Sequence, residues 1–258
     1  MKRIFLALIL ILSLQPLQAQ STEVERLIPE VLRVLPHDGE AFTQGLLWHE
    51  GYFYESTGLY GESTLRRVDI ESGAPLESLS IDDAYFAEGL ERVDDKLIQL
   101  TWKAGVAFVY DLASFDLIDT IEYEGEGWGL CYDGRFLFMS DSTSYLSVRD
   151  AQTFDLIVRA AVTYGGQLVP AQLLNELECV GDHIYANAWN TDFIFRIDKW
   201  TGDVIAVIDA SALLTDAEKA ELAAGSVLNG IAYNDETQTF FITGKKWPQI
   251  FEVVFTEP

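Results

Sequence analysis

Short runs of aromatic and β-branched residues alternate along this chain with turn-forming pairs, and the alternation itself repeats. Five segments open alike: Gln44-Gly45-Leu46, Glu88-Gly89-Leu90, Trp128-Gly129-Leu130, Asn175-Glu176-Leu177 and Asn229-Gly230-Ile231. Their starts lie 44, 40, 47 and 54 residues apart, the length of one four-stranded propeller blade. Behind each opening comes a turn such as Glu50-Gly51 or Asp133-Gly134, then a strand-like run such as Tyr52-Phe53-Tyr54 or Phe136-Leu137-Phe138-Met139. A third run follows, as in Val106-Ala107-Phe108-Val109-Tyr110-Asp111, and then an outer one, as in Val204-Ile205-Ala206-Val207-Ile208. The pattern predicts an all-β chain folded as a five-bladed β-propeller.

The ends of the pattern complete each other. The fifth unit stops after its third run, at Pro258, while an extra run, Glu30-Val31-Leu32-Arg33-Val34-Leu35, precedes the first. That N-terminal strand is expected to supply the outer strand of the last blade, closing the ring and leaving no blade unfinished. One helical exception is expected between Ser211 and Ala224, where Thr215-Asp216-Ala217-Glu218 reads as an N-cap with an acidic first turn. In a propeller the innermost strands line a central channel, and loops at one face form a shallow pocket over it. The first residue of each unit is expected near that mouth, and the five are chemically unlike: Gln44, Glu88, Trp128, Asn175 and Asn229. A repeat that keeps its frame but varies one position points to function at that position.

The first residues set the compartment. Met1-Lys2-Arg3, an apolar stretch from Ile4 to Leu14 interrupted only by Ser13, and the small-residue site Leu17-Gln18-Ala19 read as a secretory signal peptide over residues 1–19, too short for a membrane span. Residues 20–258 are then an exported propeller domain, periplasmic or secreted, expected to act as a monomer. The formal net charge of −24 becomes more negative still when Lys2 and Arg3 leave, which argues against nucleic acid and anionic membranes as partners. Cys131 and Cys179 are the only cysteines; a disulfide would suit an oxidising compartment, but the expectation is two separate, buried, small apolar residues.

More specific stretches run in order over nearly the whole chain. They are Phe42-Thr43-Gln44-Gly45-Leu46, Phe86-Ala87-Glu88-Gly89-Leu90, Leu100-Thr101-Trp102, Gly127-Trp128-Gly129-Leu130, Leu174-Asn175-Glu176-Leu177-Glu178, Asn187-Ala188-Trp189, Leu228-Asn229-Gly230-Ile231 and Thr243-Gly244-Lys245 with Trp247-Pro248. Together they resemble the glutamine cyclotransferase family, the propeller-type glutaminyl cyclases of plants and bacteria. The resemblance implies a peptide or protein substrate whose first residue is glutamine. Its α-amine attacks its own γ-amide carbonyl, pyroglutamate forms and ammonia leaves, with no cofactor required. The family's catalytic glutamate falls on Glu88, a carboxyl group able to take a proton from the amine and hand one to the departing nitrogen. Asn175 and Lys245 complete the expected catalytic set, and with Gln44 they offer donors to the charge developing on the γ-carbonyl oxygen. Phe42, Phe86, Trp102, Trp128 and Trp189 are expected to bind the substrate side chain. Trp102 follows Glu88 by fourteen residues and Trp189 follows Asn175 by the same interval, which puts both at one height in the repeat. Trp48, Trp200 and Trp247 are expected to pack between blades. Lys246 departs from the hydrophobic residue expected beside Lys245.

Other chemistries find less support. His37, His49 and His183 show no paired ligand spacing, so a catalytic zinc is not expected. The resemblance allows a calcium ion in the central channel, where ring-facing carbonyls offer oxygen ligands, although no Asp-rich calcium loop is present. Neither a Gly-x-Ser-x-Gly elbow nor a Cys/His pairing appears, against an acyl-enzyme. The rival reading is a non-catalytic propeller binding peptide or carbohydrate at its mouth. A lone acid facing a basic group, Glu88 with Lys245, favours catalysis over simple binding.

Overall fold

The computed structural model describes residues 23–258, so the expected signal peptide lies outside the described residues. Strand β1 (Glu25–Pro36) comes first, and unit one follows as β2 (Thr43–His49), β3 (Tyr52–Thr57), β4 (Thr64–Asp69) and β5 (Pro75–Ser80). Unit two is β6 (Ala87–Val93), β7 (Lys96–Thr101), β8 (Val106–Asp111) and β9 (Leu117–Glu122). Unit three is β10 (Leu130–Tyr132), β11 (Phe136–Met139), β12 (Tyr145–Asp150) and β13 (Leu156–Ala161). A small hairpin, β14 (Thr163–Tyr164) with β15 (Gln167–Leu168), leads to unit four: β16 (Leu174–Val180), β17 (His183–Ala188), β18 (Phe193–Asp198) and β19 (Val204–Asp209). Helix α1 (Asp216–Glu221) precedes unit five, β20 (Leu228–Asn234), β21 (Thr239–Gly244) and β22 (Gln249–Thr256).

The fold is all-β, and within each unit the strands pair antiparallel in chain order. Burial falls from the first strand of a unit to the last. In unit one β2 is buried over its first five residues, whereas β5 is largely exposed. The first strands neighbour one another in a closed circuit: β2 beside β6, β6 beside β10, β10 beside β16, β16 beside β20, and β20 beside β2. Glycine permits that closeness, because a Cβ on Gly45, Gly89 or Gly129 would strike the backbone of the next first strand. The Gly89 amide instead donates to the Trp128 carbonyl at 2.7 Å. Apolar side chains fill the space between successive sheets, as where Leu47, Tyr54 and Leu65 of unit one meet Leu90, Leu97 and Phe108 of unit two. Each such side chain contributes about 1.5–3 kcal/mol of transfer free energy.

Strand β1 does what the sequence predicts and more. It pairs antiparallel with β22, from Ile28 opposite Thr256 to Pro36 opposite Gln249, and so supplies the missing strand of unit five. Its first residues also pair parallel with β19, Glu25 opposite Ala206 and Leu27 opposite Ile208. Units four and five thereby join into one eight-stranded sheet.

Three expectations are corrected. Cys131 and Cys179 are bonded to each other, with Cα atoms 5.4 Å apart, because β10 and β16 are neighbouring first strands. Closing that span of 48 residues contributes about 4 kcal/mol in a chain-entropy account. The helix is shorter than the segment that suggested it, although Thr215 caps it as read and Glu218 completes the capping box. Trp200 does not pack between units: it is 69% exposed, with its indole N–H on Asp182 and Lys199 over its ring. Trp247 is buried as expected.

Candidate active site

The residues expected at the mouth stand where the first strands leave regular pairing. Register shifts interrupt β2 between Thr43 and Gly45, β6 between Ala87 and Leu90, and β16 between Leu174 and Leu177. Bulges re-aim side chains, and here they release Gln44, Glu88 and Asn175. A second set arrives from the ends of second strands. Trp102 follows β7, Trp189 follows β17 and Lys245 follows β21, and each donates its backbone N–H to the residue two before its unit's opening: Phe86, Leu173 and Val227. The equal sequence spacing of Trp102 and Trp189 thus reflects one shared backbone bond.

These positions enclose a cavity of about 330 Å³. All nine expected residues line it: Glu88, Asn175 and Lys245, then Gln44 and Phe42, then Phe86, Trp102, Trp128 and Trp189. Glu88, Gln44, Asn175 and Lys245 are buried, while Trp189 is 42% exposed at the lip. The walls are edge-on aromatic pairs, with Phe86 and Trp102 centroids 5.5 Å apart and Trp128 and Trp189 5.9 Å apart. Lys245 Nζ lies 4.9 Å from the Phe42 ring centroid, a cation held over an aromatic face. The turn carrying Lys246 leaves that placement intact, with the Lys246 amide donating to Ala41.

A chain of amides fixes the acid. Asn229 is the one unit-opening residue that lies behind the cavity rather than on it. Its Nδ2 donates to the Thr43 carbonyl at 2.9 Å and to Gln44 Oε1 at 3.5 Å. Gln44 therefore presents its Nε2, which donates to Glu88 Oε1 at 3.2 Å. Burial pushes the Glu88 carboxyl well above the usual carboxylate range; the nearby Lys245 charge opposes this and Glu126 adds to it. Burial likewise brings the Lys245 ammonium down to about 8, against the pull of Glu88. An acid and a base with their pKa values pushed toward neutrality in one apolar pocket form a proton-transfer site.

Three lining residues escaped the sequence reading: Lys103, Glu126 and Gln172. Glu126 Oε2 accepts both the Trp102 indole N–H, at 3.1 Å, and that of Trp128, at 2.9 Å. Its signal in the sequence lay two positions before an opening, where the other units carry Phe42, Phe86, Leu173 and Val227.

Below the pocket, unit four carries Glu176 where units one, two, three and five have glycine. Its carboxyl accepts the Ile231 amide at 2.8 Å and is supported by the Leu46 amide. Glu91 is engaged by the amides of Arg92 and Tyr132. Among the described residues no three His, Cys, Asp or Glu side chains are placed to share a metal ion.

Known proteins share the sequence and the fold of this chain. The Arabidopsis thaliana glutaminyl-peptide cyclotransferase is 38% identical over 226 residues, 87% of this chain and 70% of its own. The crystal structure of Myxococcus xanthus glutaminyl cyclase superposes with a TM-score of 0.83 at 40% identity, spanning 90% of this chain and 98% of that one. The glutamine cyclotransferase family model matches residues 4–255, and this chain belongs to that family.

Proposed function

We propose that this glutaminyl-peptide cyclotransferase turns N-terminal glutamine of peptides and proteins into pyroglutamate and ammonia with Glu88 as its proton shuttle. The observation that carries the reading is Glu88 itself, buried at the base of the aromatic cavity and held by Gln44. Nucleophile and electrophile sit in one residue, so the enzyme gains most by holding the cyclising rotamer, which the Trp and Phe walls do. The ionised Glu88 takes a proton as the α-nitrogen forms its bond to Cδ; the same carboxyl then returns it to the γ-nitrogen as the Cδ–N bond breaks and ammonia departs. Lys245 and Asn175 offer donors to the oxygen that carries charge in the tetrahedral intermediate.

On the same reading the five units close into a five-bladed β-propeller with the pocket at its mouth. The circuit of first strands and the pairing of β1 with β22 support it. Export over a membrane after removal of residues 1–19 is supported by the Cys131–Cys179 bond, which persists in oxidising compartments. Ammonia release from a Gln-Xaa dipeptide, measured beside a Glu88→Gln variant, tests the activity and the residue together. Release that survives the substitution removes Glu88 from its role; a folded protein that releases none above the spontaneous rate is a binding protein.

A further inference from the structure

Unit three breaks the rule that the other four obey. In those, the residue after the second strand donates to the residue two before the opening: Gly58 to Phe42, Trp102 to Phe86, Trp189 to Leu173 and Lys245 to Val227. In unit three the Ser140 amide donates to Gly129 instead, and β10 is only three residues long. The position equivalent to those four apolar residues is Glu126, and its side chain ties the opening of unit three to the residue that follows β7 of unit two. One oxygen, Oε2, takes the indole N–H of Trp102 from unit two and that of Trp128 from unit three. Indole N–H groups donate only, so that one oxygen holds the N–H edge of both rings at a common point.

The charge matters as well. Lys245 brings a positive charge into the cavity and Lys103 stands over Trp102, 3.9 Å from its ring centroid. Glu88 is the other acid of the cavity, and Arg149 and Arg159 share a separate hollow with Glu126. A substrate that must arrive with a free α-amine, mostly protonated near neutrality, meets in Glu126 the counter-charge to Lys245.

We propose that Glu126 is a positioning residue for the cyclisation, clamping Trp102 and Trp128 into one wall through a single carboxylate oxygen and setting its negative charge beside Glu88. The inference rests on the cyclase reading, and wild-type ammonia release reports that reading separately. Two variants divide the roles. Glu126→Gln keeps an acceptor oxygen for both indoles and loses the charge; Glu126→Ala loses both. Steady-state kinetics on a Gln-Xaa dipeptide are expected to show KM raised about tenfold or more in Glu126→Ala. Glu126→Gln is expected to keep KM within about threefold, with the acidic limb of kcat/KM moved to lower pH, since Glu88 no longer faces a second negative charge. Affinity for the pyroglutamyl dipeptide product, followed by tryptophan emission, reads the wall without turnover and should rank the variants in the same order. A wild-type KM in Glu126→Ala, equal damage in both variants, or an unmoved acidic limb in Glu126→Gln overturns the proposal.

Discussion

Glu88 at the mouth and Glu176 beneath it are both buried glutamates pushed well above the usual carboxylate range by burial, yet only one is placed to react. Glu176 has its carboxyl engaged by backbone amides of Ile231 in unit five and Leu46 in unit one. Glu88 has a single side-chain donor, Gln44, and opens onto the cavity. A third, Glu55, shows the opposite electrostatics. Burial opposes its charge too, but His37 at 3.0 Å and the Thr43 hydroxyl outweigh that and hold it below the usual range. Burial alone therefore decides neither charge state nor role; the partners and the access to a ligand decide both.

Substitutions sharpen the contrast, starting with the largest effect. Glu88→Gln is expected to lower kcat by about 10³-fold with an unchanged melting temperature, because it removes proton transfer and little packing. Breaking the buried Glu55 pair with His37→Ala should cost about 3 kcal/mol in urea unfolding. Both ring nitrogens of His37 have acceptors, the Trp247 carbonyl and Glu55, which fits the charged imidazolium. Burial opposes that charge, but Glu55 raises the His37 pKa overall, so its contribution is present below the ordinary histidine range and fades as pH rises through the raised value. The lowered pKa of Glu55 gives a contribution present above the ordinary glutamate range and lost as pH falls through the lowered value. The gap between wild type and His37→Ala should thus be widest from about pH 5 to 6.

Glu176→Ala should cost about 2 kcal/mol of stability by stranding buried amides, while kcat stays within about twofold. The smallest effect is a titration. With the Lys245 ammonium at about 8, kcat should be roughly halved near that pH and fall further above it, as the donor to the intermediate loses its proton. A kcat for Glu176→Ala that drops like that of Glu88→Gln would erase the distinction between the two glutamates.

Much of this was readable in the chain. The five openings located the first strands, and the chemical variety at their first positions located Gln44, Glu88, Trp128 and Asn175. The bulges were not readable, since a register shift depends on the neighbouring strand. Asn229 shows the cost: it opens a unit like the others, but the bulged β20 turns it inward onto Thr43 and Gln44. Glu126 was missed because unit three abandons the backbone bond that aligns the other four. The disulfide had a signal, a cysteine shortly after the opening of each of two consecutive units, but only the adjacency of β10 and β16 gives that coincidence meaning.

Strand β1 carries a consequence for the life of the chain before it is folded. It leaves the ribosome ahead of every strand it pairs with, and its contact between Ile28 and Thr256 waits for almost the whole polypeptide. Until then an edge bearing Ile28, Val31, Leu32 and Val34 has no neighbour, the condition in which strands recruit other chains. Pairing of β1 with β22 is thus a late, long-range event, and deleting residues 25–36 should leave β22 as an open edge that promotes aggregation.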